Sequence, residues 1–337
     1  MENSNAPKQR LGGLDTVRGL AILLVVVFHY FHDRILGGFA NALVGPFGLG
    51  GVALFFMLSG FLIERHLTRD KNLFRYFNRR IFRIVPAYLV CLTVVLAVDA
   101  IIVDTHHWTT WETIVNALLL QDVLHAPLII GVVWSLLIEI KFYALAPFLM
   151  RAGRRAMQLA PYAAIGVNTV IYSVRGEAST FLMYLTICLL GMQFGRWNRA
   201  EMSHAALLAA ATATAFSTFI FAPYFPVGLA LFVVIDSAIM VIGLKRPLEL
   251  SALQFLGRIS YSWYLYHAAI GYPVIAALTL GGQEGLAAPL FAVAIAAIVT
   301  LTIAWISYRA LEAPGIAFGN RLEKRFSGRP VGSPIRP

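Results

Sequence analysis

Apolar runs long enough to cross about 30 Å of hydrocarbon recur from one end of the chain to the other. They predict about ten membrane-spanning helices, at 14–36, 48–65, 83–103, 129–150, 156–174, 179–195, 204–222, 227–244, 258–280 and 286–310. The stretch from Trp108 to Leu124 is periodic but short, and His106, His107 and His125 flank it. Counting it as a span would put the later basic loops on the outer side, so it reads as an interfacial or re-entrant helix. The pattern defines an all-α fold, a polytopic transmembrane helix bundle without long internal repeats or a soluble domain. The expected organisation is a cytoplasmic segment at 1–13, a membrane domain at 14–314 and a basic, disordered tail at 315–337.

Composition supports the membrane reading. Of 337 residues, 59% are hydrophobic and 13% charged, too few charges to cover the surface of a soluble domain. The net charge of +10 would suit a nucleic-acid partner until the basic residues are placed. With the N-terminus inside, the inner segments collect Lys8 and Arg10, the arginines from Arg65 to Arg83, Arg151 to Arg155, Arg196 and Arg199, Lys245 and Arg246, and the tail from Arg309. The outer loops hold only Arg34 and Arg175. This asymmetry predicts that both termini are cytoplasmic, and it accounts for the charge as topology with no nucleic-acid partner. The first run loosely mimics a signal peptide ending at Ala40-Asn41-Ala42. That site lies well beyond the apolar core, with His32, Asp33 and Arg34 intervening, so the run is read as a retained span. Cys91 and Cys188 fall inside apolar runs and read as small packed hydrophobes.

The few ionisable groups inside the runs are the candidates for chemistry. Arg18 and His29 are eleven residues apart on the first span, so they share a helix face about 16 Å apart along the axis. Asp15 suits an N-cap or first-turn position ahead of them. Arg18 alone would also serve as an interfacial anchor, and His29 alone as a satisfied polar residue near the outer interface. Gly48, Gly50, Gly51 and Gly60 on the second span permit close helix packing, and the outer cluster also suits substrate entry. Arg75, Arg79, Arg80 and Arg83 crowd the inner loop before the third span. They serve topology or anionic lipid, while Arg80 and Arg83 are also neighbours one turn apart, suited to a polyanion such as a nucleotide's phosphates. Glu139 sits in mid-span, where Tyr143 at i+4 shares its face and Lys141 at i+2 does not. Asp236 is a second mid-span acid without a local partner. Tyr261, Tyr264 and His267 form a hydrogen-bonding stripe on the ninth span. There is no phosphate-binding loop of the GxxxxGK[ST] kind, and the scattered histidines suggest no metal site.

Six segments together resemble the acyltransferase-3 family of bacterial integral-membrane acyltransferases. They are LDTVRG leading to His29, GGVALFFMLSGFLI, RRIFRIVPAY, WSLLIEIKFYALAP, GRISYSWYLYH and the terminal YRALEAP, spread from Leu14 to about Pro314. The resemblance implies transfer of an acyl group, commonly acetyl from acetyl-CoA, to a hydroxyl of a glycan, glycolipid or lipid-linked saccharide at the bacterial inner membrane. The family's arginine-ten-histidine motif falls on Arg18 and His29, its paired arginines on Arg80 and Arg83, and its tryptophan-serine-glutamate segment on Trp134, Ser135 and Glu139. Two acids common among relatives are replaced here by Ala53 and Ile140, which puts roles resting on them in doubt. Some relatives carry a C-terminal hydrolase-like domain. Nothing of that size follows the tenth span, so direct transfer or a separate partner protein is expected.

The residues and the resemblance together give one expected arrangement. Phosphates of an acyl-CoA donor dock on Arg80, Arg83 and Arg79, with Arg18 at the inner end of the donor path. His29 is general base or transient acyl carrier, and Glu139 orients it. Trp134, Ser135, Tyr143, Tyr261, Tyr264 and His267 are expected to line the substrate cavity. The rival reading from a different class is a proton-coupled transporter or flippase relaying through Glu139, His29 and His267. Paired halves with matching broken helices would favour it, and the sequence shows no such symmetry.

Overall fold

The structure, a computed structural model, describes residues 12–31, 38–103, 108–245, 248–279 and 286–326. Its helices are α1 (Gly12–Phe31), α2 (Gly38–Arg69), α3 (Leu73–Val98), α4 (Thr110–Ala117), α5 (Val133–Arg151), α6 (Arg154–Arg175) and α7 (Thr180–Asn198). They continue with α8 (His204–Phe221), α9 (Pro226–Lys245), α10 (Ser251–Ala269), α11 (Gly271–Thr279), α12 (Ala287–Ser307) and α13 (Ala313–Phe326). π-helical turns follow α3 at Asp99–Val103 and α12 at Tyr308–Glu312. No strand occurs among the described residues. Among the described residues each expected span lies mostly on helix, and seven helical segments are long and apolar enough to cross a membrane. The all-α polytopic expectation therefore holds.

The chain divides into two compact units. Unit 1 takes residues 1–65 and 138–260, and unit 2 takes 66–137 and 261–337. In unit 1, α7 is the helix that protein surrounds: every residue from Met183 to Trp197 is buried. That burial explains why it holds Thr186, Gln193 and Arg196, which lipid would not tolerate. Lipid is as apolar as leucine, so helices inside a membrane gain by close contact. A Cβ added to Gly60 of α2 would run into the Cys188 carbonyl of α7, and one added to Gly191 of α7 would run into the Met57 carbonyl of α2. The packing reading of the second-span Gly60 is therefore met, with a reciprocal glycine on the partner helix.

In unit 2 three expectations need correction. Hydropathy starts the third span at 83, with the arginines before it in a loop, but α3 starts ten residues earlier. Asn72 caps it, its side chain accepting from the Arg75 N–H at 3.1 Å, so Arg75, Arg79, Arg80 and Arg83 all lie on helix. Hydropathy finds the lipid-facing part of a helix and stops where the helix becomes polar. The ninth span is two helices broken at Ile270, because Pro273 has no N–H for the Ala269 carbonyl and its ring crowds it. The tail expected to be disordered from 315 is helical to Phe326 in α13, which packs along α3; residues 327–337 lie outside the described residues. His106, His107 and Arg34 lie outside them too. Thr109 and Glu112 close a capping box at the start of α4. Eight residues reach about 12 Å, too short to cross a bilayer, in keeping with an interfacial or re-entrant helix.

Candidate active site

In unit 1, α1 carries Arg18 and His29 on one face, both half-buried. Asp15 lies in the first turn, where the helix dipole favours an acid, and pairs with Arg18 at 3.5 Å. His29 Nδ1 lies 2.9 Å from the Val25 carbonyl. A carbonyl only accepts, so Nδ1 carries the proton and Nε2 is the basic nitrogen of the neutral ring. The bond to the preceding turn also fixes the ring's orientation. On α5, Glu139 Oε1 accepts from both the Tyr143 hydroxyl and the Ser59 hydroxyl of α2. The structure thus brings Tyr143 to Glu139, as the i+4 spacing predicts, and adds Ser59. Tyr143 itself is buried. Lys141 takes the other direction, its ammonium 5.3 Å from the Phe181 ring centroid.

The arginines of α3 are in unit 2 and differ from one another in what holds them. Arg75 pairs with Asp70 at 3.2 Å; burial pushes that carboxyl up, but the Asn72 N–H and Arg75 together outweigh it and hold the group below its ordinary range. Arg79 donates from Nε and Nη2 to the two oxygens of Glu323 on α13, at 2.8 Å each. Asn78 beside it donates to the Gly319 carbonyl at 2.7 Å. Arg79 is therefore a tether between α3 and α13, a role its sequence position did not suggest. Arg80 lies 6.0 Å from the Tyr76 ring centroid, and Arg83 Nε lies 3.8 Å from Glu312 Oε1 in the π-turn after α12.

The residues of α10 expected to line a cavity each make hydrogen bonds to neighbouring backbone. Tyr261 donates to the Ile84 carbonyl of α3 at 2.8 Å. The Tyr264 hydroxyl contacts the Val132 carbonyl and lies 2.9 Å from Ser135 Oγ, so Ser135 and Tyr264 meet. His267 is fully buried, with Nδ1 2.7 Å from the Tyr264 carbonyl and 3.2 Å from that of Trp263. Trp134 is half-buried. Among the described residues no group of three His, Cys, Asp or Glu side chains could hold a metal ion. Cys91 and Cys188 are both buried free thiols.

Sequence reasoning missed one charged cluster outright. Glu64 is buried on α2, and both its oxygens accept from Arg199, which caps α7 and also bridges to Glu201. Glu64 first, and Glu201 with it, raise Arg199 above its ordinary value. The chain turns there through Ala200 at φ +59°, with Glu201 N–H returning to the Arg196 carbonyl at 2.9 Å. This is a glycine-type helix stop made with alanine. Arg199 reads in sequence only as a topology signal, and nothing local points to Glu64.

The fold and its ionisable residues define a multi-pass helical membrane protein with a half-buried histidine oriented by its own first helix. Comparison with known proteins makes the class specific. The acyltransferase domain family matches residues 11–309, nearly the whole chain, and the chain belongs to that acyltransferase-3 family. Among curated relatives, it is 24% identical over 93% of its length to the O-acetyltransferase OatA of Staphylococcus aureus. It is 29% identical over 90% of its length to the putative peptidoglycan O-acetyltransferase YrhL of Bacillus subtilis, and 25% identical over 89% to the peptidoglycan O-acetyltransferase OatA of Listeria monocytogenes. The alignments cover 58%, 54% and 55% of those three proteins, so the chain spans little more than half their length. No solved structure matches. Membership of an acyltransferase family does not favour the transporter reading.

Proposed function

We propose that this protein is a membrane O-acyltransferase that moves an acetyl group from acetyl-CoA to a hydroxyl of a cell-envelope glycan or a lipid-linked saccharide. The observation that carries the reading is the His29 ring, whose Nδ1 is committed to Val25, leaving Nε2 as the basic nitrogen in a family of acyltransferases. His29 Nε2 takes the proton of the acceptor hydroxyl as its oxygen attacks the thioester carbonyl. The new C–O bond forms, the C–S bond breaks, and the departing thiolate recovers the proton from the imidazolium. Glu139, supported by Ser59 and Tyr143, supplies the negative charge that stabilises that imidazolium. Arg80 and Arg83 bind donor phosphates, and Arg18 binds the donor beside Asp15. Arg79, tied to Glu323, contributes chiefly by holding α13. Both chain ends face the cytoplasm, where acyl-CoA is made, in a bacterial inner membrane. The relatives' names favour a peptidoglycan-like acceptor.

The test is incubation of the purified full chain, in lipid nanodiscs, with acetyl-labelled acetyl-CoA and soluble glycan fragments. The expected result is release of free coenzyme A together with label on the glycan. A chain that neither binds nor consumes acetyl-CoA contradicts the proposal.

A further inference from the structure

The last described segment of the chain, 310–326, lies beyond the family match, yet it supplies the carboxylates that meet the α3 arginines. The way it does so begins with the π-turn. Along α12 the buried positions step through Ala296, Thr300, Ala304 and Ser307. Continued at helical spacing, that row would carry Leu311, Pro314 and Phe318 inward. Instead the Ala313 N–H bonds the Tyr308 carbonyl, five residues back, which inserts one residue into the turn. One extra residue turns the face by about 100°. Glu312, Gly319 and Glu323 are buried as a result, while Pro314 and Phe318 are exposed. A side chain with only 2% of its surface exposed would not be aimed inward without compensation. Glu312 receives it from two sides: Ser262 of α10 donates to Oε2 at 3.1 Å, and Arg83 Nε stands 3.8 Å from Oε1.

The two carboxylates act differently. Glu323 grips Arg79 through a bidentate pair, which is a tether. The Arg83 pair is longer than a hydrogen bond and joins a buried, anchored carboxylate to a guanidinium that keeps 30% of its side-chain surface exposed. We propose that Glu312 is a positioning residue for Arg83: fixed by Ser262 and aimed by the π-turn, it orders the arginine for the phosphates of the acyl-CoA donor. The inference rests on the donor-binding reading above and gives a role to the terminal YRALEAP segment. A long flexible side chain ordered before the ligand arrives loses less entropy on binding.

The experiment measures coenzyme A affinity by calorimetry for the wild-type chain, Glu312→Gln, Arg83→Ala and the double variant, with Ser262→Ala as a milder release of the same carboxylate. Positioning predicts roughly tenfold weaker binding in Glu312→Gln, and no further loss when Glu312→Gln is added to Arg83→Ala. Ser262→Ala weakens binding about threefold and answers the question if Glu312→Gln does not fold. Unchanged or tighter binding in Glu312→Gln, or the same loss with and without Arg83, overturns the inference alone. A wild-type chain that fails to bind coenzyme A overturns the donor reading and this inference with it.

Discussion

His29 of α1 and His267 of α10 both sit within apolar helices, and their surroundings differ. His29 in α1 and His267 in α10 both direct Nδ1 at backbone carbonyls of the preceding turn. His29 makes that bond to one carbonyl and stays half-buried, whereas His267 is fully buried beside two carbonyls, with the Tyr264 ring 6.0 Å away. The same local bond thus leaves one ring half-exposed and holds the other in the core. A histidine in a membrane helix invites a functional reading, but burial and backbone satisfaction decide whether it deserves one.

The comparison breaks most visibly in turnover. His29→Gln is expected to lower acetyl-CoA consumption by at least about a thousandfold, within the range that general base catalysis supplies. His267→Gln should cost less than about fivefold; a collapse of activity in a correctly folded His267→Gln chain would erase the distinction. Glu139→Gln comes next, with a loss of about a hundredfold, because it keeps the hydrogen-bonding shape and removes the charge proposed to stabilise the imidazolium. If Glu139→Gln retains full turnover, the glutamate serves only Ser59 and Tyr143. Stability should rank the histidines the other way. His267→Leu is expected to lower unfolding free energy by about 1–3 kcal/mol, and His29→Leu by less, as read from thermal melts in detergent. The smallest effect lies elsewhere in unit 1. Ala200→Gly relieves a left-handed alanine and should raise stability by about 1 kcal/mol with no change in turnover.

Much of this was legible in the chain because membrane helices announce themselves by length and hydropathy, and because the spacing of Arg18 and His29 or of Glu139 and Tyr143 translates directly into a shared helix face. The errors have physical causes. Hydropathy placed the start of α3 at 83 because Arg75, Arg79 and Arg80 are polar, although Asn72 is a ready cap for an earlier start. The Arg79–Glu323 pair is not legible in sequence, because the two residues are 244 positions apart and no local pattern connects them. Glu64 and Arg199 were missed for the same reason. The tail looked disordered because glycine, proline and basic residues dominate its composition. Its order comes from contacts with α3, where Gly319 sits against Phe82. The spacing of Tyr261, Tyr264 and His267 gives one helix stripe, but a stripe does not say whether it faces a cavity or a neighbouring helix.

The central claim is that His29 does the chemistry while other residues hold the donor, and one paired measurement tests it most directly. Purified wild-type and His29→Gln chains are titrated with coenzyme A and then assayed for consumption of labelled acetyl-CoA in the same preparation. The account predicts affinities equal within about twofold and turnover lost in His29→Gln. Turnover that survives in His29→Gln would contradict it.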